Sequence, residues 1–334
     1  MDDDDRLAEA GVPGRKRRRR RLSALLRFAV GMGLLAFIIS RTGTARLRFV
    51  LHATSPAVVV AAAGLMALGV VVSAFRWSVF LKTLGYKRRT GYLTRLYSAG
   101  FFFNTFLPTG IGGDVFKALR VRNAGDPVGR GVASVLLDRL SGMVGLAVMG
   151  VVGASVRLAS GHHERTSVAG LVLSAAVLLG MGAWLAAPGV VDRLAHRGGS
   201  GRIGLIVRSL DVAARHRPTA ALGIAWGIVF QTCVVALNAV LLRGLHHAVP
   251  VDALVSVVVI VTFASLVPLT INGLGLREGA YVWSLGQLGV GRQVALALGL
   301  IVLGLLLAAA AVGGVVYAIG GADRPAEMRE PGAG

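Results

Sequence analysis

The sequence has one cysteine, Cys233, and only 16 acidic residues against 36 lysines and arginines. A single cysteine within an apolar run excludes an internal disulfide and argues against a thiolate metal site. The spacing of a nucleotide-binding P-loop and the motif His-Glu-x-x-His are both absent, so no signature of a soluble enzyme is present. The two histidine pairs, 162–163 and 246–247, are placed in loops and are a weak basis for a metal site. We therefore expect no metal and no cofactor.

The net charge of +20 does not indicate nucleic acid, because the cations are unevenly placed. Residues 15–21 form an unbroken basic run directly before the first apolar run, and most other cations fall between apolar runs. This distribution is typical of cytoplasmic loops that contact anionic lipid. No small-residue cleavage site follows, so the run is not a cleavable signal. We expect a multi-pass protein of the inner (plasma) membrane with a cytoplasmic N-terminus.

Long apolar runs support this class. Hydrophobic residues make up 54% of the chain, and the mean hydropathy is +0.69. Runs long enough to cross about 30 Å of hydrocarbon predict full spans at 23–40, 56–81, 131–157, 166–188, 218–242 and 294–320. The fold class is therefore an all-α polytopic membrane protein, since a transmembrane barrel would show alternating polarity. We divide the chain into a basic cytoplasmic tail (1–22), a membrane domain (23–320) and a C-terminal tail (321–334).

The membrane domain repeats itself at an offset of 160 to 162 residues. Three blocks match in order: VFLKTL at 79–84 with VLLRGL at 240–245, FNTFLPTGIGG at 103–113 with FASLVPLTING at 263–273, and VGRGVA at 128–133 with VGRQVA at 290–295. Each repeat has a span, a broken segment and a second span. Repeat one covers 56–157, repeat two covers 218–320, and a basic linker at 189–217 joins them.

The positive charges predict opposite orientations for the two repeats. If segment 92–121 enters the membrane from the cytoplasm and turns back at its centre, the cations of 82–130 and 189–217 all remain cytoplasmic. The second broken segment then enters from outside. We predict two re-entrant hairpins in inverted repeats, an arrangement found in many transporters. The run 252–271 is also long enough for a full span, and that alternative stays open.

Helix-breaking residues mark the centre of each broken segment. They are Pro108, Gly110, Gly112 and Gly113 in the first repeat and Pro268, Gly273 and Gly275 in the second. Asp114 follows the first break, at a favoured N-cap position. One interpretation is that Asp114 only caps the next helix. The other is that the broken ends form a polar site for an ionic headgroup.

Further charged residues near the breaks and within spans are candidates for the same site. Lys117 and Arg120 share a helix face and either bind a lipid phosphate or form a basic fringe. Arg76 either snorkels beside an interfacial Trp77 or serves function. Asp138 and Arg139, deep in a span, either form structural ion pairs with another helix or act on substrate.

The second break contains Asn272, Arg277 and Glu278. The side chains of Arg277 and Glu278 diverge by about 100° on a helix, so each is expected to have another partner. A helix start at the outer interface would also explain Glu278.

These motifs resemble the flippase-like transmembrane region of lysylphosphatidylglycerol synthases over residues 25–320. The resemblance is carried by FFFNTFLPTGIGGDVFKALRV, DRLSG and LVPLTINGLGLREGAY, and includes Asn104, Asp114, Asp138, Arg139, Arg277 and Glu278. It implies movement of a phospholipid, or a related anionic or aminoacylated lipid, between leaflets. Full-length synthases also carry a soluble aminoacyltransferase domain, so we expect no aminoacylation by this chain alone.

Two other functions are retained as alternatives. One is a membrane-embedded enzyme or accessory factor acting on a polyprenyl-phosphate or glycolipid, with Asp114 or Asp138 as base. The other is a scaffold without transport. The expected partners are membrane lipids with anionic headgroups, and the prediction allows a homo-oligomer and a separate lipid-modifying enzyme.

Overall fold

The computed structural model describes residues 37, 54–106, 111–123, 126–186, 216–267, 269–270 and 273–320. Six regions of the predicted architecture lie outside these residues: both tails, the span 23–40 apart from Phe37, nearly all of the linker 189–217, and the tips of the two breaks. Among the predicted site and helix-break residues, Pro108, Gly110, Pro268 and Asn272 are therefore not described.

The described chain is helical throughout its regular elements. In order, the helices are α1 (Pro56–Thr83), α2 (Thr90–Phe106), α3 (Gly112–Arg120), α4 (Val128–Ala159), α5 (Arg165–Ala186), α6 (Arg217–Gly244), α7 (Val251–Leu266), α8 (Leu276–Gly286) and α9 (Arg292–Gly320). Five of them, α1, α4, α5, α6 and α9, are long and apolar enough to cross a membrane. They coincide with five predicted spans, which confirms the all-helical polytopic class.

The first broken segment forms a helical hairpin. A Cβ atom added to Gly113 of α3 would lie 1.9 Å from the carbonyl oxygen of Gly100 in α2, so only glycine allows this approach. The Tyr92 hydroxyl, near the start of α2, donates to the carbonyl of Arg120 at the end of α3 over 3.1 Å. Helix α3 therefore folds back along α2. The 17 residues of α2 extend about 25 Å, less than the hydrocarbon thickness.

The second broken segment, α7 and α8, returns in the same way. Helix α7 has 16 residues, about 24 Å, and Gly273 and Gly275 adopt positive φ angles of 73° and 80° where the chain turns. The start of α7 lies beside the end of α4, where Asp252 is 3.8 Å from Arg157. The end of α8 lies beside the start of α5, where the Thr166 hydroxyl donates to the Ser284 carbonyl. A short loop joins α4 to α5, so both ends of this hairpin are at one end of the bundle.

The two hairpins open at opposite ends of α4. At its start, a Cβ on Gly131 would lie 2.2 Å from the Ala118 carbonyl oxygen of α3. Near its end, a Cβ on Gly153 would lie 3.2 Å from the Asp252 carbonyl oxygen of α7. The 32 residues of α4 extend about 48 Å, so they separate the two openings by more than the hydrocarbon thickness.

Helices α1 and α6, which occupy equivalent places in the two repeats, pack antiparallel. The hydroxyls of Thr83 at the end of α1 and Thr219 at the start of α6 are 2.9 Å apart. At the other end of the pair, a Cβ on Gly244 would lie 2.5 Å from the side chain of Val58. Equivalent helices thus run in opposite directions.

Each half has its own buried apolar cluster. The cluster of the first half is made by α1 to α4 and the α1–α2 loop and contains Ala74, Trp77, Leu81, Tyr86, Leu93, Leu96, Ala118, Val121 and Val135. The second cluster is drawn almost entirely from α6 to α9 and the loops between them, and includes Leu241, Leu254, Leu285, Leu296 and Leu298. Small residues mediate close contacts between the halves, and at one of them Gly145 of α4 meets Gly227 of α6.

Adding one methyl group at this contact should destabilise the protein. In Gly145→Ala the new Cβ would lie 2.8 Å from the Gly227 carbonyl carbon, so the backbones must separate. We expect a loss of roughly 1–3 kcal/mol, the usual cost of overpacking, measured as a lower melting temperature in detergent. The matched control is Gly64→Ala, where no atom lies within 4 Å of the new Cβ. Equal melting temperatures for the two variants would contradict close packing of α4 on α6.

Candidate functional site

A buried ion pair joins the first and last helices of repeat one. The Arg76 Nε donates to Asp138 Oδ1 over 2.8 Å, and the Asp138 side chain has no exposed surface. The Tyr97 hydroxyl of α2 donates to the other carboxylate oxygen over 2.8 Å. The interpretation of Arg76 as a snorkelling side chain beside an interfacial Trp77 is wrong, because both residues are buried. The expected structural ion pair for Asp138 is present.

Asp114 forms a second ion pair at the break. Its Oδ2 accepts from Arg139 Nε, and its Oδ1 lies 3.2 Å from the Lys117 ammonium, an ion-pair distance without an aligned hydrogen bond. The predicted N-cap role is wrong. Helix α3 begins at Gly112, its cap position is Ile111, and no side chain caps it. Asp114 lies one turn further in, where its carboxylate points to cations of α3 and α4.

Lys117 links the two ion pairs into one network. Its ammonium lies 4.0 Å from the centre of the Tyr97 ring and 5.6 Å from that of Trp77, both cation–π distances. The Trp77 indole in turn donates to Ser134 of α4 over 3.1 Å. Lys117 is buried, and these partners compensate for the burial of its side chain.

We call Arg76, Tyr97, Asp114, Lys117, Asp138 and Arg139 the charged network. Three cations face two carboxylates, which leaves a net charge of +1. Arg76 is buried at one end, whereas the Arg139 side chain is 42% exposed at the other. One end of the network is therefore an accessible cation and the other end is a buried cation. The net positive charge of the network favours binding of an additional negative charge.

The protein leaves space for the buried cation. A Cβ on Gly142 would lie 2.5 Å from Arg76 Nη1, and Nη1 has no hydrogen-bond partner among the described residues. The guanidinium also lies over the ring of Phe230 in α6, 5.4 Å from its centre. Arg76 thus contacts both halves and keeps one unused donor.

Other predicted residues lie beside the network or apart from it. The Asn104 side-chain oxygen accepts from the Gly113 amide over 2.8 Å and fixes the hairpin next to Asp114. Arg120 is exposed, with its guanidinium 5.7 Å from the centre of the Phe116 ring. This position fits the basic-fringe interpretation for Arg120. Lys117, by contrast, belongs to the network.

The charged residues of the second repeat form a separate site. Glu278 is fully buried, and its Oε2 accepts from the Gly275 amide over 2.6 Å, so it closes the first turn of α8. Glu278 therefore lies at a helix start, as one interpretation predicted, but it is buried rather than interfacial. Arg277 precedes it and is also buried. The Tyr281 hydroxyl, one turn later, donates to the Asn238 side chain of α6 over 2.7 Å.

A third charged group lies at the far end of α4, where the second hairpin opens. Arg157 binds Glu164 of the following loop over 2.7 Å and lies near Asp252. The hydrogen bond from Arg157 lowers the pKa of the Glu164 carboxyl. This group joins the α4–α5 loop to α7 and has no contact with the charged network among the described residues.

An apolar cavity of about 410 Å³ lies on the other side of α4 from the first hairpin. Helices α1, α4, α5 and α6 line it, with Phe80, Leu137, Leu140, Met143, Met181 and Trp184 among the lining residues. Ser141 also lines the cavity, and its hydroxyl donates to the Asp138 carbonyl. The cavity and the charged network therefore meet along one stretch of α4.

Tyr97 was missed at the sequence level. It precedes Asn104 by seven residues, two helical turns, so both lie on one face of α2. That spacing was the available signal for placing Tyr97 beside the break. The buried role of Trp77 had no such signal, because an aromatic residue near the end of a span is usually interfacial.

The fold and this site define a polytopic helical membrane protein with an ionic network at a broken helix. The family model described as Lysylphosphatidylglycerol synthase TM region matches residues 24–316. The chain belongs to this family, as the motifs predicted, and a lipid-related function in the membrane follows. A comparison with curated proteins gave no match.

Breaking the buried pair should cost more than removing it. In Arg76→Met or Asp138→Leu the remaining charge is buried without its partner, and we expect a loss of roughly 3–5 kcal/mol. The double variant leaves neither charge and should be more stable than either single variant. Thermal unfolding of all three in detergent measures this. Losses that simply add in the double variant would show that the pair makes no coupled contribution.

Proposed function

We propose that this chain moves an anionic phospholipid, or a related anionic or aminoacylated lipid, between membrane leaflets, with its headgroup at the charged network. The observation that carries the proposal is the net charge of +1 in that network, buried beside a broken helix. A lipid phosphate supplies the additional negative charge. Arginine and lysine are the side chains best suited to bind it.

The cations of the network become less exposed from Arg139 to Lys117 and Arg76, and this order supports a path for the headgroup into the protein. Arg139 is accessible, and Asp114 is its ion-pair partner among the described residues, so an entering phosphate can exchange with that carboxylate. Lys117 is the next cation inward, and the unused Nη1 donor of Arg76 lies beyond it. Because the cations are already paired, the phosphate gains binding energy only by displacing carboxylates. This limits its affinity and favours release.

The apolar cavity provides a site for an acyl chain. It is lined by aliphatic, aromatic and methionine side chains and lies along the same stretch of α4 as Asp138. A phospholipid has a charged headgroup and apolar chains, and α4 presents both environments. This juxtaposition supports a lipid rather than a small soluble anion as substrate.

Inverted repeats support movement across the membrane. The equivalent helices α1 and α6 are antiparallel, and the hairpins open at opposite ends of α4. We infer two re-entrant hairpins that enter from opposite faces. Such repeats allow a central site to face either side by a rocking motion. On this model the close glycine contact between α4 and α6 is where the halves rotate.

The enzyme alternative has less support. A catalytic base must accept a proton, and both Asp114 and Asp138 are engaged by cations in the network. We therefore propose that the chain is not an enzyme. Lipids remain its proposed partners, the plasma membrane its proposed location, and a homo-oligomer or a separate lipid-modifying enzyme its proposed protein partners.

Asp114→Asn tests the proposal directly. The amide keeps the shape but removes the negative charge, so the net charge of the network rises from +1 to +2. A phosphate should then bind without being released. We expect folded protein whose rate of lipid movement falls at least tenfold, measured with fluorescent anionic lipid in proteoliposomes. Monodispersity and melting temperature in detergent verify folding.

The matched control is Asp126→Asn, which makes the same change in the loop before α4. The Asp126 carboxylate accepts from the Asn123 backbone amide and makes no ion pair with the charged network among the described residues, so transport should remain. A fully active Asp114→Asn variant would reduce Asp114 to a structural residue and direct attention to Asp138 and Arg139. Absence of lipid movement by the unmodified protein would overturn the proposed function.

Single-cysteine labelling tests the orientation of the hairpins. In a Cys233→Ser background, Asn123→Cys at the first opening should react only from the cytoplasm with a membrane-impermeant maleimide. Gln287→Cys at the second opening, and His163→Cys near it, should react from outside in intact cells. Labelling of positions 123 and 287 from one side, or of the linker 189–217 from outside, would contradict inverted repeats.

A further inference from the structure

Glu278 is a carboxyl group in an almost wholly apolar environment. It has no exposed surface and lies in the first turn of α8, against α9. A Cβ on Gly299 of α9 would lie 3.3 Å from the Glu278 Cγ. Around it are Tyr281, Leu285 and other members of the apolar cluster of the second half. It differs in this respect from the carboxylates of the charged network.

One oxygen of Glu278 is satisfied and the other is not. Oε2 accepts from the Gly275 amide over 2.6 Å, whereas Oε1 is buried without a hydrogen-bond partner among the described residues. Asp138, equally buried, has an arginine on one oxygen and a tyrosine hydroxyl on the other. An ionised Glu278 would thus lack the compensation that the protein provides for Asp138.

The charged and titratable groups near Glu278 are few. On its own helix they are Arg277, which is buried and whose positive charge acts on the Glu278 carboxyl without an ion-pair contact, and Tyr281, whose hydroxyl bonds Asn238. Among the described residues, the packed helices bring no other charged group close. The charged residues of α7 and α5, Asp252 and Arg165, lie at their first turns, and α9 is charged only at Arg292, with a tyrosine at 317.

The balance of energies favours the neutral form. Moving an ionised carboxylate into an apolar interior costs far more than one backbone hydrogen bond and a helix N-terminus return. In such places a carboxyl group takes up a proton instead. We infer that Glu278 is a proton-binding site, protonated at neutral pH. It releases its proton only when the contact between α8 and α9 opens to water.

This site gives the second repeat a chemical role that differs from that of the first. The first repeat binds an anion at the charged network, and the second binds a proton inside the facing hairpin. Opening of the hairpins alternately to the two sides would carry that proton across with the lipid. This coupling rests on the proposed function, whereas protonation of Glu278 does not.

Dicyclohexylcarbodiimide tests protonation without any transport assay. This apolar reagent adds to a protonated carboxyl group and not to an ionised one, and the product is a stable acylurea. In the purified full chain at pH 7, mass spectrometry should find at least tenfold more label on Glu278 than on Glu164, Asp114 or Asp138. Labelling should fall as the pH rises. Absence of label on Glu278 between pH 5 and pH 7, or equal label on Asp138, would overturn the inference.

Glu278→Gln tests proton binding by the Glu278 carboxyl group separately from its structural role in closing the first turn of α8. Glutamine retains an acceptor for the Gly275 amide and resembles the protonated acid, so the variant should fold and show no label at position 278. In proteoliposomes an imposed proton gradient should raise lipid movement by the unmodified protein several-fold and leave the variant unchanged. A gradient without effect on the unmodified protein would refute coupling. Proteoliposomes that move no lipid at all would instead refute the proposed function, with the labelling result unaffected.

Discussion

The ion pair between Arg76 and Asp138 determines how repeat one is assembled. A charge at this depth is tolerated only when it is paired and hydrogen-bonded, and the partners come from α1 and α4, with Tyr97 of α2 as a third. The pair therefore fixes three helices relative to one another. It also positions the Tyr97 ring, on which the ammonium of Lys117 lies. The first hairpin is held in place by that contact and by the pair between Asp114 and Arg139.

Close packing in this protein depends on residues without side chains. Gly113 lets α3 approach α2, and Gly131 lets α4 approach α3. Gly145 and Gly227 let the two halves meet. Apolar side chains gain nothing by leaving lipid for other apolar side chains, so close contact between small residues has to supply the association energy. The 46 glycines of the chain are consistent with this requirement.

The two halves share a framework but not a chemistry. Both contain a long helix, a broken hairpin and a second long helix. Only the first carries paired charges deep in its last helix, since the positions equivalent to Asp138 and Arg139 are Leu300 and Ile301. The second half instead buries a single glutamate against α9.

The sequence alone determined the all-α membrane class and the positions of the two breaks. Span length, the position of cations and the proline and glycine clusters are local properties, so they can be read from the order of residues. Most of the candidate site residues were also identified, because a charge in an apolar run is conspicuous.

The roles of Asp114, Arg76 and Trp77 were not identified from the sequence. Asp114 was predicted to cap α3 and instead binds Arg139, which is 25 positions away. Arg76 and Trp77 were predicted near the interface and are buried, because Asp138 and Ser134 meet them. Which charge pairs with which depends on how helices cross, and the crossing is set by glycine contacts between segments distant in sequence. Only the tertiary structure decided it.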